Sequence, residues 1–97
     1  MSDVKLTRAV VVANSQGLHA RPANLIMKLA NQYESRIELV KGNERVDGKS
    51  ILEILTLGAE PGTNLIIEAA GPDAEAALEA LAELFASKFA DGEEENT

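Results

Sequence analysis

The spacing of apolar positions changes several times along the chain, and each change marks an element. Val4, Leu6, Val10 and Val12 alternate with polar or small residues, and Val11 adds β-branching, which predicts a first strand. Asn14-Ser15-Gln16-Gly17 is turn-rich and ends it. From about His19 the period becomes helical. Ala23, Ile26, Leu29 with Ala30, and Tyr33 recur at spacings of three and four, forming one apolar stripe. Pro22 is compatible with this helix, because first-turn N–H groups have no intrahelical partner to lose, and it fixes the start near residue 19 or 20. Ile37, Leu39 and Val40 in the segment Arg36 to Lys41 predict a second strand. Gly42-Asn43 predicts a turn, and Glu44 to Asp47 a short third strand in a hairpin with the second.

Ser50-Ile51-Leu52-Glu53 matches a capping box. The serine oxygen can accept the N–H three residues on, and the glutamate can reach back to the serine N–H. A short helix carrying Ile51, Leu52, Ile54, Leu55 and Leu57 follows, with Gly58 placed to end it. So many aliphatics on about two turns cannot all face one core, so some are expected at the surface as a docking patch. After the turn Pro61-Gly62, Leu65, Ile67 and Ala69 alternate with Ile66 and Glu68 in a fourth strand. Gly71-Pro72-Asp73 opens the last helix. Pro72 is expected near its first position, Asp73 and Glu75 complement the dipole, and Leu78, Leu81, Phe85 and Phe89 form the buried stripe, with Lys88 in the last turn. The order βαββαβα predicts a two-layer α+β fold, one four-stranded sheet covered on one face by helices.

Composition narrows the function. The 97 residues, without an internal repeat, are read as one domain over residues 1–90 and an acidic, frayed tail over 91–97. There is no cysteine, which excludes disulfides, thiolate metal sites and cysteine nucleophiles, and a single histidine lacks partners for a metal site. No segment resembles a signal peptide or a membrane span, so a cytoplasmic protein is expected. The 16 acidic residues against nine basic, with one tyrosine and two phenylalanines, make a poor nucleic-acid binder.

Chemistry concentrates in Gly17-Leu18-His19-Ala20-Arg21-Pro22. Gly17 allows a sharp turn and His19 falls at the helix start, where N–H groups and the positive dipole end converge. Ser, Thr, Asp and Asn are the preferred caps there, so histidine is unusual. A cationic ring is disfavoured at that end, whereas a neutral imidazole keeps a lone pair for nucleophilic attack. A phosphoryl group on the ring would turn the local interactions favourable, with the helix N–H donors and the Arg21 guanidinium meeting an anion. The alternative is a plain surface histidine. No hydrolytic triad is visible. Gly48-Lys49-Ser50 has the ending of a phosphate-binding loop, but five residues rather than four separate it from Gly42, so that reading fails. Ser50 itself is either an ordinary cap or a phosphorylation site, since phosphate is tolerated at a helix N-terminus.

From Val4 to Phe89 the chain resembles the HPr phosphocarrier family of the bacterial phosphoenolpyruvate-dependent sugar phosphotransferase system. The likeness is most specific in Gly17-Leu18-His19-Ala20-Arg21-Pro22-Ala23 and in the block from Lys49-Ser50-Ile51 to Leu57-Gly58. The resemblance implies an open-faced β-sandwich, a four-stranded antiparallel sheet with three helices on one face. It implies that His19 accepts phosphate on Nδ1 from enzyme I and passes it to enzyme IIA, with Arg21 stabilising the charge. Ser50 matches the residue that HPr kinase/phosphorylase modifies in some bacteria, and Leu18, Ala20, Ile51, Leu52 and Leu55 match docking positions. A stoichiometric carrier of this kind, expected as a monomer, needs no cofactor of its own. Glu53 departs from the family, where the position is often basic or small, and the acidic tail runs past the usual end. A nitrogen-related branch shares the histidine signature. Two other classes compete. One is a regulatory module that acts through phospho-Ser50 on a transcriptional regulator. The other is an acyl-carrier-like protein, opposed by the four strands and by the poor match of Asp47-Gly48-Lys49-Ser50-Ile51 to its serine context.

Overall fold

Alternating aliphatics build four strands, β1 (Lys5–Val11), β2 (Arg36–Lys41), β3 (Glu44–Asp47) and β4 (Asn64–Ala70), in a computed structural model that describes residues 4–90. They form one antiparallel sheet in the order β1-β4-β2-β3. Val10 lies opposite Leu65, and Leu39 opposite both Ile67 and Val46, so one face carries the buried Val10, Ile37, Leu39, Val46, Leu65, Ile67 and Ala69. Helices α1 (Ala20–Ala30), α2 (Ile51–Thr56) and α3 (Ala74–Ala86) cover that face with Ile26, Ile54, Leu78, Leu81 and Phe85. The expected βαββαβα open-faced sandwich is the observed fold. The hairpin is as read: Lys41 pairs with Glu44 and Gly42 takes the positive φ of 59° that the two-residue loop needs.

On the helix-free face, Arg45 donates to Glu38 at 2.9 Å and to Glu68, and Lys5 lies 3.4 Å from Glu68. The Arg45 hydrogen bond holds the Glu68 carboxyl below its ordinary range.

Several local expectations are corrected. Val4 is 72% exposed and precedes β1. Tyr33 lies beyond α1, which ends at Ala30. The Lys49 ammonium donates to the Tyr33 carbonyl at 2.7 Å, and Asn31 Nδ2 donates to the Met27 carbonyl at 2.8 Å and the Lys49 carbonyl at 3.2 Å. The exit of α1 is thereby fastened to the segment before α2. Pro72 stands two residues before Ala74, the first residue of α3, whose N-cap is Asp73. Asp73 leaves its own helix uncapped and reaches back across the chain. It accepts from the Glu34 N–H (2.9 Å), the Ser35 N–H (2.9 Å) and the Ser35 hydroxyl (2.5 Å), clamping the turn before β2 to the start of α3. The acidic-tail reading of 91–97 lies outside the described residues.

These bonds, the Ser35 hydroxyl first, hold the Asp73 carboxyl below its ordinary range. A depressed carboxyl contributes stability that is complete above the unfolded pKa, about 4, and is lost as pH falls through the lower folded value. The stability gap between the parent and Asp73→Asn is therefore expected to be constant near neutrality and to narrow below about pH 4. Urea unfolding across that range checks it, and a gap independent of pH would contradict the clamp.

Lys88 is not in the last turn. It follows the C-cap Ser87 with φ 59°, as does Phe89. The Lys88 N–H donates to the Phe85 carbonyl (3.0 Å) and the Phe89 N–H to the Leu84 carbonyl (3.0 Å), the paired bonds of a Schellman ending that normally uses glycine. Lys88→Gly is expected to raise stability by about 0.5–1 kcal/mol, because relief of a left-handed side chain exceeds the entropy that glycine brings. A thermal melt reads this, and an unchanged or lower Tm would refute it.

Candidate functional site

The His19 turn is built by packing against the loop after α2. Gly17, at φ 74°, lies so close to it that a Cβ would sit 2.5 Å from the Ala59 carbonyl oxygen. The Leu18 N–H donates to that same carbonyl at 2.9 Å, and the Leu18 side chain is 5% exposed within the core. Leu18 anchors the turn from inside.

His19 is the N-cap of α1, with extended backbone (φ −92°, ψ −164°), and its side chain makes no cap hydrogen bond. Its carbonyl accepts the Ala23 N–H at 3.0 Å. The first turn holds no acidic side chain, Pro22 is buried beneath it, and the ring is half-buried. The start of α1 thus presents an imidazole ring and the positive end of a helix, with the basic Arg21 in its first turn and no carboxylate in that turn to repel an anion. Ala20 is exposed beside it and Arg21 is half-buried.

Ser50 is the N-cap of α2 and its Oγ accepts the Glu53 N–H at 3.3 Å, as the capping box predicts. The reciprocal half differs. The Glu53 carboxylate accepts the Asp47 N–H at 2.9 Å, while the Ser50 N–H donates to the Asp47 carbonyl at 3.1 Å. Gly58 follows the helix with φ 57°, as read. Of the α2 aliphatics, Ile54 and Leu57 are buried in the core, Ile51 and Leu55 are half-buried, and Leu52 is 74% exposed. The expected surplus of surface aliphatics therefore centres on Leu52.

α1 and α2 pack side by side and run in opposite directions, because the end of α1 is tied to Lys49 and its beginning to Ala59. His19 and Ser50 consequently occupy opposite ends of the pair, separated by about the 16 Å length of an 11-residue helix. Sequence reasoning placed both at helix starts but did not show this. It also passed over Asn14, whose buried Nδ2 donates to the Gly17 carbonyl at 2.8 Å. The available signal was its place at the head of a turn, where asparagine side chains bond nearby backbone. Among the described residues, no three His, Asp or Glu side chains gather as metal ligands, and no helix is long and apolar enough to cross a membrane.

Comparison with known proteins agrees with this geometry. Residues 6–87 match the family model described as the PTS HPr component phosphorylation site. The phosphocarrier protein HPr of Treponema pallidum is 42% identical over 84 residues, 87% of this chain and 96% of that protein. The phosphocarrier protein NPr of Shewanella violacea is 36% identical over 85 residues, 88% of this chain and 93% of that protein. The crystal structure of HPr from Thermoanaerobacter tengcongensis superposes with a TM-score of 0.85 at 39% identity, covering 88% of this chain and 96% of that one. Matched from β1 through α3, with a histidine heading α1, the chain belongs to the HPr family of phosphocarrier proteins of the phosphotransferase system.

Proposed function

We propose that this chain is a histidine phosphocarrier that accepts a phosphoryl group from phosphorylated enzyme I on His19 and passes it to an enzyme IIA of the phosphotransferase system. The observation that carries the reading is His19 itself, an N-cap whose side chain does no capping, at the start of a helix whose first turn holds no acidic residue. The neutral ring attacks phosphorus through its lone pair. A P–N bond forms at Nδ1, the bond from phosphorus to the donor atom breaks, and its electron pair leaves with the donor. Helix-start N–H groups and Arg21 favour the anionic product over the bare imidazole, and transfer to the acceptor reverses the same steps. Leu52, with Ala20, Ile51 and Leu55, supplies the partner-facing surface on α1 and α2.

The experiment is incubation with enzyme I, magnesium and phosphoenolpyruvate, read by intact mass beside His19→Ala. One phosphoryl group is expected, lost in acid as a phosphoramidate is and absent from the variant. An acid-stable phosphate, or an equal gain in His19→Ala, would overturn the assignment. Similarity to both HPr and NPr proteins leaves two branches, sugar and nitrogen-related, that separate by which enzyme IIA is phosphorylated.

Ser50 is proposed as a secondary, regulatory position. Its phosphate would lie beside Asp47 and Glu53, whose backbone and side chains close the turn around it. It would also stand a helix length from His19. A phosphate there acts by adding negative charge to the α2 surface, rather than by competing for the donors at His19.

A further inference from the structure

The turn that carries His19 contains a buried polar side chain to which the phosphoryl chemistry assigns no part. Asn14 is 1% exposed. Its Nδ2 donates to the Gly17 carbonyl at 2.8 Å, and that carbonyl also accepts the His19 backbone N–H at 3.0 Å. The Gly17 N–H returns to the Asn14 carbonyl at 3.4 Å. Asn14 therefore closes the turn twice, once through its main chain and once through its amide. The amide oxygen, Oδ1, is buried without a hydrogen-bond partner among the described residues. An orphaned acceptor of this kind is destabilising, and an apolar side chain filling the same space would avoid that cost. What the amide contributes in return is the bond to Gly17.

We infer that Asn14 is a positioning residue for His19, and the inference rests on the phosphocarrier reading of that histidine. Gly17, at φ 74°, belongs to the residue type with the least restricted backbone. Two donors converging on its carbonyl fix that peptide plane. The His19 ring makes no cap hydrogen bond, so its direction is inherited from the backbone that the plane sets. Asn14 is buried, beneath the surface that a partner would meet. Its loss should misdirect the ring without altering the docking surface, and displacement of a reacting group by about 1 Å can slow transfer on the order of a hundredfold.

Asn14→Ala removes the donor, and Asn14→Asp keeps the shape while turning a carboxylate oxygen toward the Gly17 oxygen. Both are compared with the parent for His19 phosphorylation by intact mass over time, using two donors. Phosphoramidate needs no docking, and phosphoenolpyruvate-charged enzyme I does. The expected result is variants that fold by circular dichroism, with kcat reduced about tenfold or more, KM for the carrier within about twofold, and a comparable loss with phosphoramidate. The His19 N–H should also exchange faster with solvent. A kcat within about twofold of the parent in a folded variant, or a change confined to KM, would overturn the inference. Failure of both variants to fold would equally overturn it, by making Asn14 a residue of the fold alone. The parent's own phosphorylation tests the carrier reading separately. If the parent takes no phosphate from either donor, unchanged His19 amide exchange in the variants still defeats the positioning role.

Discussion

Phe89→Ala is expected to lower the unfolding free energy by about 3–5 kcal/mol, a large part of the 5–15 kcal/mol that small domains possess. Phe89 is fully buried although it lies beyond the last helical residue. It gets there because Lys88 and Phe89 both take φ 59°, turning the chain back so that the Phe89 ring meets Phe85 edge-on at 5.0 Å. Its N–H is held by the Leu84 carbonyl at 3.0 Å. The ring closes the end of the core between α3 and the sheet, and the backbone strain is tolerated because the buried aromatic offsets it. Removing the ring leaves a cavity and forfeits the offset while the strained backbone remains. Urea unfolding should show a lower midpoint with the same m-value, and thermal melting a Tm lower by roughly 12 °C or more. A loss under about 1 kcal/mol would mean that the turn, rather than the ring, holds the end of α3.

Much of this architecture is legible from local chemistry. The His19 and Ser50 helix starts, Pro22 in the first turn, the Gly42-Asn43 hairpin and the ending at Gly58 each follow from a preference expressed within four or five residues. The misreadings lie where a distant part of the chain decides. Asp73 reads as a carboxylate that complements the helix dipole until the fold brings Ser35, 38 positions earlier, within 2.5 Å. Glu53 satisfies a capping-box pattern, but the turn before α2 offers it the Asp47 N–H instead. Leu18 sits next to His19 in sequence, and the contact of its turn with Ala59 drives the side chain inward. Lys88 has the composition of a last-turn residue, and only the burial of Phe89 explains its left-handed backbone. The same limit applies to the site. Its two helix starts can be read singly, but their placement at opposite ends of an antiparallel pair depends on Asn31, Lys49 and Ala59.

Gly17→Ala should produce the largest loss of phosphoryl acceptance among substitutions that leave His19 and Arg21 untouched. Two separate penalties meet at this position. An L-residue at φ 74° is disfavoured by about 1–2 kcal/mol. The new Cβ would also stand 2.5 Å from the Ala59 oxygen and 3.1 Å from the Glu60 Cα, both backbone atoms that cannot rotate away. The turn has to lift off the α2–β4 loop, which breaks the Leu18 N–H bond to Ala59, draws Leu18 from the core and displaces His19 from the start of α1. A shift of about 1 Å is enough to reduce the rate of transfer on the order of a hundredfold. Gly58→Ala separates the two penalties. Gly58 has a similar φ of 57°, but nothing lies within 4 Å of its added Cβ. That variant is expected to lose only about 1 kcal/mol of stability and to accept phosphate at the parental rate. Time courses of intact mass with enzyme I and phosphoenolpyruvate, run on both variants beside the parent, decide the matter. Equal rates in Gly17→Ala and Gly58→Ala would mean that contact with Ala59 does not set the position of His19, and the turn would then owe its geometry to the bonds that Gly17 makes with Asn14 and His19.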